Sequence, residues 1–219
     1  DWIPTFCGTA GSLAVEGMLL APVGERGFLY QLTVRSTSDK PLSSTFGLEG
    51  CWASAWHCVN EDKEIDGARR CYTSLWNDSL IFDMRCGLPL FAFAPMMDQP
   101  CSSTFQETDA GIVYRLAHAC TLEPGEAVTV TFYWGVGFEE VAAATSAKEM
   151  LRQGWQHELQ VTTDWLDARR WPIPDAQLER LYNTNLFFCL FYSAGITLDT
   201  EELVLVTSRS PRYYVSAAY

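Results

Sequence analysis

Apolar and β-branched residues alternate with polar ones through the stretch from Trp2 to about Gly137, and turn-forming residues punctuate them at short intervals. Phe28 to Arg35 is rich in aromatic and β-branched residues, and the polar Ser36-Thr-Ser-Asp-Lys-Pro41 turns the chain before the next apolar segment. Gly111 to Leu122, the turn Glu123-Pro-Gly-Glu126 and Ala127 to Trp134 repeat the arrangement. Pro124 presets one backbone angle and Gly125 accepts the positive one, so a tight reversal is expected there. Strands at this spacing predict an antiparallel β-sandwich over residues 1–137.

After Gly137 the period changes. Val141, Ala144, Ala147, Leu151, Trp155, Leu159, Thr162 and Leu166 recur at three- and four-residue steps, with no proline to interrupt them. The spacing predicts one long amphipathic linker helix over 138–170, with Gly154 as the place for a bend or break. A helix of about 45 Å outruns the sheet it leaves and suits a connection between two domains. Trp171-Pro-Ile-Pro174 ends it, and Asp175 is placed to cap a second helix carrying Leu178, Leu181, Tyr182, Asn185, Leu186, Cys189 and Leu190. Leu186 to Tyr192 is apolar on every side, as in a helix enclosed by a larger helical assembly. Residues 171–219 therefore read as the truncated start of a second domain, and the chain as the N-terminal part of a longer protein.

Composition narrows the function classes. The chain has 219 residues, 48% hydrophobic and 19% charged, with 12 Phe, 8 Trp and 9 Tyr, which excludes a disordered polypeptide. Its formal net charge of −12, with no basic patch, argues against nucleic-acid and anionic-membrane partners. The longest apolar run falls far short of the roughly 20 residues a bilayer span needs. Asp1-Trp-Ile-Pro4 lacks the basic start and apolar run of a secretory signal. The eight cysteines form no C-x-x-C pair, so buried free thiols in a reducing, cytoplasmic setting are expected rather than a zinc or redox motif.

Several stretches carry a family resemblance. Leu122 to Gly137, followed by Val141-Ala-Ala-Ala144, resembles the last strands and the start of the linker helix of the β-sandwich that precedes the catalytic barrel in six-hairpin glycosidases. Leu178-Glu-Arg-Leu-Tyr-Asn-Thr-Asn-Leu-Phe-Phe188 and Thr207 to Tyr219 resemble the first barrel helix and the loop after it. The resemblance is to (α/α)6-barrel hydrolases of the mannosylglycerate and glucosylglycerate type, and more distantly to glycogen-debranching and glucoamylase-like enzymes. It implies a mainly β protein with α: a sandwich of the supersandwich kind, a linker helix, and the first helix of an incomplete (α/α)6 barrel. It also implies cleavage of α-linked glucosides or mannosides with inversion and without a cofactor, the rest of the barrel being the partner. In such enzymes a Trp-x-Arg-Asp segment commonly follows a stretch like Ser208 to Tyr219 and lines the sugar subsite; this sequence stops before it. The acid and base carboxylates of the family lie in the barrel, so no catalytic residue is carried onto this chain, which alone is expected to be inactive.

Weighing the chemistry leaves few candidates. Inverting hydrolysis needs two carboxyl groups about 6.5–9.5 Å apart across the sugar. The adjacent pairs Glu139-Glu140 and Glu201-Glu202 point in different directions and suit solvated faces, as do Asp164 and Asp167. His57, His118 and His157 form no metal-binding spacing, and no metal is expected. Ser54 and Ser79 lack nucleophile-elbow glycines, and Gly8-Thr-Ala-Gly11 and Gly135-Val-Gly137 are explained by turns. Cys51-Trp-Ala-Ser-Ala-Trp-His-Cys58 is conceivable as a metal site or a sugar platform, but packed strand aromatics fit it better; Trp76 and Asn77 belong with it. The resemblance makes Arg209, Arg212, Tyr213, Tyr214 and Tyr219 the candidate substrate-binding set, by ring stacking on pyranose faces and guanidinium bonds to hydroxyls. Anchoring the loop against the barrel is an equal alternative. The substrate would be an oligosaccharide or small glycoside. Rival readings are a non-catalytic carbohydrate-binding sandwich, or a phosphorylase or debranching transferase of the same architecture.

Overall fold

The computed structural model describes residues 2–53, 68–75, 79–85, 91–137, 139–191, 193–196, 203–206 and 214–216. They fall into two compact units, Ile3 to Trp165 in one and Trp2 with Leu166 onward in the other.

The first unit is mostly β, with two antiparallel sheets. The larger is built from β1 (Thr5–Ala10), β2 (Leu13–Leu20), β3 (Gly27–Ser36), β10 (Ala127–Gly137), β7 (Phe91–Met97), β6 (Leu80–Arg85) and β5 (Ala68–Thr73), in that spatial order. The smaller runs β4 (Leu42–Ala53), β9 (Gly111–Leu122), β8 (Ser102–Thr108). The strand read from the sequence at Gly111 to Leu122 pairs along its whole length with β4, from Leu42 opposite Leu122 to Ala53 opposite Gly111. The Pro124-Gly125 reversal also forms, with Gly125 at φ 78° and Glu126 N–H donating to the Glu123 carbonyl.

Strand β10 organises the unit because it lies in the middle of the larger sheet and is covered on both faces. Val130, Thr131, Phe132 and Tyr133 are all essentially inaccessible. Successive strand residues face opposite sides. Val130 and Phe132 pack inward with Val34, Met97, Phe46 and Leu122 between the two sheets. Tyr133 packs outward with Met18, Leu20, Leu29 and Met150. A strand buried on both sides loses the polar half of its alternation, which explains the near-continuous Val-Thr-Val-Thr-Phe-Tyr-Trp run.

Helix α1 (Glu140–Gln153) follows β10 directly and lies on the outer face of the larger sheet, where Ala143, Ala144 and Ala147 pack with Ile81, Ala92 and Ala94. The contact is very close. A Cβ at Gly135 would collide with the Ala143 carbonyl oxygen and stand 2.5 Å from Ala147 N. One at Gly137 would stand 2.6 Å from Ala143 N. Gly135-Val-Gly137, expected in a turn, is thus the end of β10, and its glycines are where the helix backbone rests on the strand. Tyr72 on β5 ties down the helix start by donating a 2.5 Å hydrogen bond to Glu140, and Ser146 Oγ donates to the Arg26 carbonyl at 2.7 Å.

The single linker helix predicted over 138–170 is two helices. Gly154 takes φ 86°, a conformation that glycine adopts at little cost, and α2 (Trp155–Asp167) starts after it. The apolar stripe stays in phase across the break, so periodicity alone could not separate the two. Both helices belong largely to the sandwich unit: Leu151, Trp155 and Leu159 join the cluster around Tyr133 and Met150.

In the second unit, α3 (Ala176–Phe191) starts where predicted, with Asp175 Oδ1 accepting from Gln177 N and Leu178 N, both at 2.9 Å. The buried Asn183 amide braces the segment before it, accepting from Trp171 N at 2.8 Å and donating to the Trp171 carbonyl at 2.9 Å. Phe187 is buried and meets Trp2 edge-on with 6.4 Å between ring centres. Short strands β11 (Ser193–Ile196), β12 (Leu203–Val206) and β13 (Tyr214–Ser216) pair antiparallel in that order. No helix among the described residues is long and apolar enough to cross a membrane.

Replacing Gly135 by alanine drives a methyl group into backbone that cannot swing aside. The expected loss is at least about 2 kcal/mol, read as a fall of several degrees in melting temperature, whereas Gly8→Ala, with open space at its Cβ, changes stability little.

Candidate functional site

The most concentrated side-chain chemistry in the sandwich unit is an aromatic cleft between the sheets. Phe28 on β3, Trp134 on β10, Phe82 on β6 and Phe93 on β7 face Trp52 on β4 and Tyr114 on β9, with Cys51 alongside, around a space of about 280 Å³. Topology assembles it. Phe28 and Trp134 are register partners on adjacent strands and stack at 5.6 Å with 13° between ring planes. Phe82 meets Tyr114 edge-on at 4.7 Å and Trp52 edge-on at 5.5 Å; Tyr114 meets Trp134 edge-on at 6.0 Å. These are the separations aromatic pairs prefer. Tyr114 reaches its place across Gly50, its partner on β4, whose missing side chain leaves room for the ring.

Among the described residues the lining of the cleft is mostly apolar and holds no acid–base couple. Burial raises the Tyr114 phenol above its ordinary value, with Cys51 adding to the effect, so it stays a neutral hydroxyl. A pyranose carries a hydroxyl on nearly every carbon, and each one buried without a partner costs free energy. The ring faces here suit packing better than sugar capture.

The five residues proposed to bind substrate are Arg209, Arg212, Tyr213, Tyr214 and Tyr219. Arg209, Arg212, Tyr213 and Tyr219 lie outside the described residues. Tyr214 opens β13, opposite Val206. Of the Cys51 to Cys58 cluster, Cys51 and Trp52 lie in β4 just before its last residue, Ala53, and Trp56, His57 and Cys58 lie outside the described residues, as do Trp76, Asn77, Ser54, Glu201 and Glu202. Glu140 accepts from Tyr72, and that hydrogen bond together with burial, the larger cause, pushes the Tyr72 phenol up to about 12. This carboxylate anchors a helix. Asp164 accepts from Gln160 one turn earlier at 2.8 Å. His118 sits half-buried on β9, its Nδ1 2.8 Å from the Pro100 carbonyl. Among the described residues no three His, Cys, Asp or Glu side chains are placed to hold a metal.

The thiols differ from the expectation of burial. Among the described residues, Cys7, Cys51 and Cys101 are exposed, Cys120 is half-buried and Cys71 is buried, all free, and burial pushes the Cys71 thiol up to about 12.

One titratable residue was missed by the sequence reading. Glu158 on α2 is 3% exposed, and its Oε1 has no hydrogen-bond partner. It falls beside the apolar stripe, next to Leu159 and one turn from Trp155 and Thr162. A lone carboxylate on the buried side of an amphipathic helix is the signal that could have found it.

No protein-family model matches the chain, and no curated protein matches it. Among solved structures, one described as "Putative kojibiose phosphorylase from human microbiome" is similar with a TM-score of 0.44 at 12% identity, over 87% of this chain and 23% of that one. The chain therefore spans under a quarter of that protein's length.

Two outcomes check the reading of the cleft and the thiols. Phe82→Ala removes a ring that is 3% exposed and is expected to cost about 3–5 kcal/mol of stability, measured by denaturant unfolding. A thiol reagent at about pH 8 is expected to modify Cys7 and Cys51 in the native protein and Cys71 only after unfolding, read by peptide mass spectrometry.

Proposed function

We propose that this chain is the sandwich, the connecting helices and the opening of the helical barrel of a carbohydrate-active enzyme that hydrolyses α-linked glucosides or mannosides. One observation carries the reading most strongly. Leu178, Leu181 and Tyr182 form a stripe at helical spacing on α3 and are 56%, 61% and 48% exposed, with Trp171 before them at 62%. A helix that is apolar on an uncovered side is what the first helix of a larger helical assembly presents. The order along the chain adds to it: paired strands ending at Gly137, a helix leaving β10 at once, and an Asp175-capped helix followed by the Thr207 to Tyr219 segment.

In this proposal the sandwich is a brace, and the described carboxylates that have assigned contacts do structural work. The chemistry belongs to two carboxyl groups elsewhere in the enzyme. One protonates the glycosidic oxygen as the bond to the anomeric carbon breaks; the other takes a proton from the water that attacks the opposite face. Tyr213, Tyr214 and Tyr219 would stack on the sugar, and Arg209 and Arg212 would hold its hydroxyls. The enzyme works in the cytoplasm, consistent with five unbridged cysteines among the described residues.

The test is an assay of the complete polypeptide containing this chain on α-glucosides and α-mannosides, with the first-formed anomer followed by proton NMR. Release of the β-anomer is expected, and Arg212→Ala or Tyr214→Ala should lower kcat/KM by about 10- to 100-fold with the fold intact by circular dichroism. Phosphate-dependent release of a sugar phosphate in place of free sugar would replace hydrolysis by phosphorolysis. Sugar binding without turnover would leave a binding module.

A further inference from the structure

The buried side of α2 carries Trp155, Glu158, Leu159 and Thr162. Trp155 and Leu159 pack against Met18, Leu20, Leu29 and Tyr133, and Thr162 Oγ1 accepts a 3.2 Å hydrogen bond from Val23 N in the β2–β3 turn. Between these contacts lies Glu158, 3% exposed, with Oε1 fully enclosed and unpartnered. An ionised carboxylate in that position is desolvated and uncompensated; a protonated one is not charged at all. The groups acting on it are few. Glu25 in the β2–β3 turn is a like charge, Tyr133 on β10 is a neutral phenol pushed up to about 12 by burial, and His157 is the neighbouring residue on an exposed position of α2. On α1, Arg152 is engaged with Glu149 at 2.8 Å. Immediately before α2 stands Gly154 at φ 86°, where the helical run that begins with α1 is broken.

We infer that α2 is a pH-sensitive latch, docked on the β2–β3 hairpin while Glu158 holds a proton and released about Gly154 when Glu158 gives it up. Burial first, and then Glu25, raise the Glu158 carboxyl above its ordinary value, in the direction the latch requires, while His157 acts more weakly in the opposite sense. For an acid whose folded value is raised, the folded state binds the proton more tightly. Docking is therefore strongest below the ordinary glutamate range and weakens as pH climbs from there through the raised value. The boundary of the sandwich unit falls within the last turn of α2, between Trp165 and Leu166.

Hydrogen-exchange protection factors of the α2 amides, measured from about pH 5 to 8, test this with α1 as internal reference. In the unmodified chain, α2 protection is expected to fall roughly tenfold across the range while α1 protection stays level. In Glu158→Gln, a neutral side chain of the same shape, α2 protection should be independent of pH and exceed that of the unmodified chain at pH 8. An unchanged fall in the variant, or lower α2 protection than the unmodified chain at pH 8, would overturn the inference, the latter by showing that the carboxylate is ionised and partnered. Should the variant not fold, carbon-13 NMR titration of Glu158 in the unmodified chain decides: a midpoint at or below the ordinary glutamate value rejects the latch.

Discussion

The approach of α1 to β10 is the constraint on which the sandwich unit depends. With glycine at 135 and 137 and alanine at 143, 144 and 147, helix and strand backbones meet with almost no side chain between them. Such a contact gains dispersion energy from many atoms at short range, but it tolerates no added volume. It also fixes direction. A helix that begins three residues after the strand has one way to lie down, and the Tyr72–Glu140 hydrogen bond secures its first turn.

Covering the outer face turns β10 into a doubly buried strand, and the rest of the packing follows from that. Its outward residues meet the helices and its inward residues fill the space between the sheets, so β10 links all four apolar clusters directly or through its neighbours. Toward its C-terminal half, Trp134 stacks on Phe28 and faces Tyr114, and the inter-sheet core gathers aromatic rings around Leu80, Ile112 and Leu116. The same burial makes Glu158 unusual. Packed beside the apolar cluster around Tyr133 and near the like charge of Glu25, a single carboxylate is enough to make the docking of α2 depend on protons.

Local signals were readable in the sequence. The β9 strand and the Pro124-Gly125 turn came out at their observed positions because alternation and turn chemistry are properties of a few adjacent residues, and Asp175 announced α3 for the same reason. Signals that depend on a distant partner were not. Gly135 and Gly137 look like turn glycines until α1 is placed on them. Gly154, by contrast, marked the break between α1 and α2 by its residue type, although the apolar stripe on either side remains in phase. The meeting of Phe28, Trp52, Phe82, Phe93, Tyr114 and Trp134 is set by the order β3-β10-β7-β6 facing β4-β9, which pattern along one strand does not carry. The tyrosines and arginines of the Thr207 to Tyr219 segment stand on family resemblance, with Tyr214 alone placed, at the start of β13.

If the glycine–alanine contact binds helix and sandwich into one cooperative body, α1 cannot open while β10 stays closed. Native-state hydrogen exchange over a denaturant series tests this most directly. The account predicts that the amides of Ala143 to Met150 and of Val130 to Tyr133 open with the same free energy and the same denaturant dependence, as one unit. Exchange of the α1 amides through a separate, low-energy opening with β10 still protected would contradict it.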